Sequence, residues 1–199
     1  MNVRLYYETA FLAGVFTSDD QLQMNSYNVG MNLITRTLDS ANSNIALERV
    51  KTFVDGLNST VFINSCWPDH EEIMSQMGID VTTLPEEPVD QIVGMMLYYK
   101  LNAVMEGRME ITQLELRSSL GDGVCYLHDE EDPAGPFHQA GWWHDATAIR
   151  TKNIPPDTKT NIVKIKHKNW REFGLDWPDA ESKDVANTVV YANFTKNEN

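Results

Sequence analysis

The sequence predicts an α+β fold, with a helix-rich N-terminal half and a strand-rich C-terminal half sharing one mostly antiparallel sheet. Three observations carry this expectation. Apolar residues recur at helical spacing through much of the chain before Gly107. From Met109 onward, short β-branched and aromatic runs alternate with Gly- and Pro-rich turns. Helical and strand patterns thus segregate along the chain, which argues against an alternating α/β sheet. The 199 residues suit one domain spanning 1–199, with a weak subdomain boundary near 108–110.

Taken in order, Val3 to Phe16 carries Tyr6, Tyr7, Thr9, Phe11 and Val15 and reads as an opening strand. Ser18 with Gln21 forms a capping-box pattern, and Met24, Tyr27, Met31, Ile34 and Leu38 follow at spacings of three and four, predicting a helix. The polar stretch Ser40–Asn44 interrupts it. A second helix then places Ala46, Val50, Phe53, Val54 and Leu57 on one face, with Gly56 near its end. Thr60–Asn64 reads as a short buried strand. Pro68, Asp69 and Glu72 open a short helix that Gly78 stops. Thr82–Pro88 reads as a loop leading into the longest helix, about 88–107. Met109–Leu120 and Val124–His128 flank Gly121-Asp122-Gly123, a hairpin signal. Asp129–Gly141 reads as a loop. Trp142–Arg150, Asn161–Lys168 and Asn187–Phe194 are further strand candidates, with a loop holding Trp170, Trp177 and Pro178 between the last two.

Composition narrows the function classes. At 42% hydrophobic and 23% charged, the chain is neither collagen-like nor disordered. The opening residues lack the apolar core of a signal peptide, no run is long enough to span a bilayer, and two cysteines make no disulfide scaffold. A cytoplasmic protein with no membrane role is the expectation. The net charge of −13 is uneven: residues 1–99 hold 13 acids and 4 bases, and residues 151–199 hold 7 acids and 8 bases. Such an acidic body repels nucleic acid and anionic membranes at long range.

Four features bear on chemistry. The 88–107 helix is apolar nearly all round apart from Lys100, which predicts burial, and Met95, Tyr98 and Tyr99 are its candidate partner or homodimer surface. Cys66, just ahead of a helix start with His70 four residues on, is a candidate thiol nucleophile, although the sequence names no third, orienting group. His128, His138, His144 and Asp145 form a ligand-dense stretch that points to a divalent metal. Its spacing matches no zinc signature, and Cys125 is badly phased against His128 on a strand. Lys164, Lys166 and Lys168 alternate with apolar residues, and on a strand they would share one face as an anion-binding stripe or an edge guard. HExxH, GxSxG and phosphate-loop patterns are absent.

Together these features favour a soluble, acidic accessory or inhibitory protein that acts by binding another protein, with a homodimer as one form. Small acidic proteins of this kind include those viruses use against host machinery. The alternatives are a metal-assisted hydrolase built on His128, His138 and His144, and a binder of a small anionic ligand or nucleotide.

Overall fold

The computed structural model describes residues 3–147 and 169–178. Its element order is β1 (Arg4–Phe16), β2 (Leu22–Thr35), α1 (Ser40–Asp55), β3 (Val61–Asn64), α2 (Pro68–Gln76), β4 (Val81–Leu84), α3 (Asp90–Met105), β5 (Met109–Ser118) and β6 (Cys125–Asp129). Helices and strands therefore interleave, and four strands precede α3. The expected segregation into a helical half and a strand half does not hold.

The six strands form one sheet in the order β4-β3-β1-β2-β5-β6. β1 pairs antiparallel with β2 from Arg4↔Ile34 to Phe16↔Leu22, and β5 pairs antiparallel with both β2 and β6. β3 runs parallel to β1 and to β4. The sheet is mixed, which corrects the antiparallel expectation. Two helical connections make this end parallel: α1 carries the chain from β2 back to lay β3 beside β1, and α2 crosses over between β3 and β4.

The largest local correction is β2, expected as a helix. Met24, Tyr27 and Met31 do recur at helical spacing, but apart from Gly30 the residues buried are Asn25, Tyr27, Val29, Met31, Leu33 and Thr35, a period of two. Ser26 and Asn28 alternate with them toward solvent. The polar stretch Ser40–Asn44 is no interruption. It is the first turn of α1, capped by Asp39, whose Oδ1 accepts from Ala41 N at 2.9 Å. β4 was expected as loop, and Trp142–His144, expected to begin a strand, is a single 3-10 turn. The rest of that candidate beyond Thr147, along with 161–168 and 187–194, lies outside the described residues.

Both sheet faces carry a core. On one face, Phe11, Ala13, Val15, Tyr27, Val29, Phe62 and Leu114 pack against α1 and α3. The opposite face holds Phe16, Val61 and Ile63 under Met74 of α2, but only at the β3–β4 end. Among the described residues nothing covers that second face across β1, β2, β5 and β6, where Tyr6, Leu12, Met24 and Leu127 are exposed. Residues 169–178 close over α1 and the end of α3, where Trp170 and Trp177 flank the Arg49 guanidinium at 5.0 and 3.9 Å. Arg49 also donates to the carbonyls of Leu175 (2.9 Å) and Val104 (3.2 Å) and pairs with Glu106 at 2.6 Å. No helix among the described residues is long and apolar enough to cross a membrane.

Candidate functional site

At the second core, the β1–β2 turn meets the start of α2. The His70 ring, nearly buried, lies against Phe16 with centroids 4.0 Å apart and edge-on to Trp67 at 5.3 Å. Its Nε2 donates to Asp20 Oδ1 at 2.8 Å, and its Nδ1 is buried without a hydrogen-bond partner. Asp20 is the orienting carboxylate that sequence reasoning missed. It sits 50 residues away in the chain, in a turn where its φ is +56°. Ser18, Asp20, Cys66, Trp67, Pro68, Asp69 and His70 line a cleft of about 290 Å³. Cys66 is exposed in it, and its backbone N–H donates to Asn64 Oδ1 at 2.9 Å. The structure thus gathers a thiol, an imidazole and a carboxylate around one cleft.

A second cluster forms where β6 crosses α3. The ring of Tyr126 lies across Gly94 so closely that a Cβ there would come within 2.6 Å of its Cε1. Its hydroxyl hydrogen-bonds Nδ1 of the fully buried His128 at 3.1 Å, and Asp132 Oδ2 lies 3.8 Å from the same nitrogen. Tyr98 and Tyr99 pack edge-on to the His128 ring at 4.6 and 5.8 Å, and Tyr99 also meets Phe137 and His144. Burial pushes the Tyr98 and Tyr126 hydroxyls up to about 12 and lowers the His128 pKa, against the opposing pull of Asp132 and Asp129. The histidine here is a neutral core residue.

The structure places the residues of two sequence expectations. Met95 and Tyr98 are buried inside the chain and Tyr99 is half-buried, so the first two pack within the molecule's own core. The histidines do not converge as ligands. His138 Nδ1 donates to Gly135 O at 2.6 Å and His144 Nε2 to Phe137 O at 2.7 Å, while His128 faces aromatic rings. Asp145 is engaged through its carbonyl, which accepts from Lys100. Among the described residues, no group of three His, Cys, Asp or Glu could hold a metal ion. Lys164, Lys166 and Lys168 lie outside the described residues.

Lys100 is the other residue missed, although as the sole charge between Gln91 and Met105 it was visible. It is fully buried, and Nζ donates to the carbonyls of Trp142 at 3.0 Å and Asp145 at 2.6 Å. It thereby ties the 3-10 turn to α3, while Trp142 Nε1 ties the same turn to Thr83 O at 3.0 Å. Loss of hydration holds its pKa down to about 7.

No family model matches the chain, and no curated protein matches it. Among solved structures, an uncharacterized protein from Wolinella succinogenes is 11% identical with a TM-score of 0.44, covering 65% of this chain and 99% of that one. A 6-pyruvoyltetrahydropterin synthase from Plasmodium vivax is 12% identical with a TM-score of 0.42, covering 64% and 97% respectively. The Plasmodium falciparum enzyme of the same name is 14% identical with a TM-score of 0.41, covering 64% and 96%. Likeness at this level assigns the present chain no family and no activity.

Proposed function

We propose that this chain works by binding another protein, as an accessory or inhibitory factor, through the end of the sheet where α2 meets the open face. One observation carries the reading. Leu22, Met24, Ile73, Met77, Leu120 and Val124 are each 44–65% exposed and belong to elements joined at that end. Leu22 and Met24 pair with Phe16 and Gly14 of β1, and Phe16 packs beneath α2, which bears Ile73 and Met77. The turn after β5 is bound to β2 through Asn25 Oδ1, which accepts from Ser119 Oγ at 2.9 Å and Leu120 N at 3.1 Å. Large side chains gathered in this way mark contact surfaces more often than they mark bare sheet. A photo-crosslinking residue at position 24, compared with one at position 48 on α1, tests it in extracts of the native source. A defined adduct from position 24 alone supports the reading. Equal labelling at both positions, or none, refutes it.

The cleft favours a second reading, thiol-dependent chemistry at Cys66, because the Asp20–His70 pair supplies an oriented imidazole beside an exposed thiol. It ranks below the first, since the His70 nitrogen left over for a proton is buried and unpartnered, with no hydrogen bond to the thiol.

A further inference from the structure

The charge around this apolar end tells what kind of partner it fits. Three stretches build it: the β1–β2 hairpin, the β3-α2-β4 unit with the loop into α3, and the β5–β6 turn. Residues 5–35, 52–99 and 118–149, which contain all three apart from Arg4 at the far end of the hairpin, hold not one Lys or Arg. Hydrogen bonds lock the stretches together. Ser18 N donates to Glu87 Oε1 at 3.2 Å, His70 donates to Asp20, and Ser118 Oγ donates to Asp90 Oδ2 at 2.8 Å. The exposed charges on them are Glu8, Asp19, Asp20, Asp69, Glu72, Asp80, Glu86 and Asp122. Among the described residues, every formal charge within these segments is therefore negative; the exposed Arg117 stands one residue before the β5–β6 turn, paired with Glu115 at 3.7 Å.

From this we infer that the occupant is a basic, amphipathic segment of another protein, an inference that rests on the protein-binding reading above. A second copy docked through the same end would set carboxylates against carboxylates. Phosphate backbones and anionic lipid surfaces would meet the same repulsion. A segment with apolar anchors flanked by Lys or Arg satisfies both halves of the surface. Its apolar side chains reach Met24 and Met77, which adapt readily to different shapes, and its cations face the carboxylates.

The test uses the full chain and two synthetic helical peptides of one pattern, the first of Leu and Lys, the second of Leu and Glu, followed by fluorescence anisotropy. The Leu/Lys peptide should bind at least about tenfold more tightly than the Leu/Glu peptide, and should weaken about tenfold between 50 and 500 mM salt. Met24→Ser with Met77→Ser, and separately Asp69→Asn with Glu72→Gln, should each weaken it severalfold. Glu48→Gln on α1 with Glu172→Gln in the 169–178 segment should leave it unchanged. Circular dichroism and melting curves confirm that the variants fold. Equal binding of the two peptides, or Leu/Lys binding that ignores both surface pairs, overturns the basic-partner inference. The position-24 adducts would then still stand, so the protein-binding reading survives that failure and falls only with the adducts. Self-association broken by Met24→Ser would make a second copy the occupant and would equally overturn the inference.

Discussion

Replacing Lys100 with Met separates two opposing effects at the centre of the fold. The ammonium is fully buried, and burial lowers its pKa from 10.5 to about 7. Between those values the unfolded chain binds a proton that the folded chain lacks, so stability rises with pH by about 1.4 kcal/mol per unit. Below pH 7 both states hold the proton and this contribution is flat. At pH 7 the wild type thus carries a burial cost of roughly 5 kcal/mol from this side chain, an upper bound. Lys100→Met removes that cost but leaves the Trp142 and Asp145 carbonyls without their donor, a loss of about 1–3 kcal/mol each. Near neutrality the two changes offset within a few kcal/mol. At pH 9 they no longer do, because the wild type has by then recovered about 2.7 kcal/mol and the variant nothing. Melting both proteins at pH 7, 8 and 9 should show the wild type gaining on the variant by roughly 5–10 °C. Other titrating groups cancel in the difference, and the Tyr98 and Tyr126 hydroxyls, near 12, stay protonated throughout the window. Parallel stability curves would refute the reasoning and show that the two carbonyls keep the ammonium charged.

The remaining predictions concern the neighbouring clusters. His128, buried and neutral, binds its proton more readily in the unfolded chain, so stability should fall as pH drops below about 6.5. His128→Phe should flatten that slope in acid melts. Gly94→Ala should destabilise by about 1–3 kcal/mol despite its better helix propensity, because the new methyl meets Tyr126, and Tyr126→Ala should remove the penalty in a double-mutant cycle. Trp177→Ala should cost about 3 kcal/mol or more in denaturant titrations, by uncovering the Arg49 guanidinium it stacks on at 3.9 Å. If Cys66 is an activated thiol, its alkylation rate should drop in Asp20→Asn and in His70→Phe alike. Rates equal to wild type in both would make it an ordinary surface thiol.

How much was legible depended on whether a segment's pattern admitted one period or two. α3, apolar nearly all round and stopped near Gly107, and the β5–β6 hairpin around Gly121-Asp122-Gly123 lay close to where the residues put them. β2 did not, because Tyr27 and Met31 belong equally to a helical stripe and to an alternating strand. Val29 and Leu33, which fit only the alternation, are what decide it. β4 was lost for a different reason: Val81–Leu84 is a strand through its pairing with β3, and the nearby Pro85 and Pro88 hide the pattern. The sites were legible as residue types and illegible as directions. Three histidines within 17 positions satisfy a count of metal ligands, but each ring is oriented by a partner that the count ignores: a tyrosine hydroxyl for His128 and backbone carbonyls for His138 and His144. The same limit worked in reverse at His70, whose carboxylate partner lies 50 residues upstream, and at Lys100, whose acceptors are carbonyls that every residue possesses. An ionisable side chain alone in an apolar stretch is therefore better read as a demand for partners than as an interruption. Where no side chain within reach in sequence meets that demand, the partner is either distant in the chain or part of the backbone.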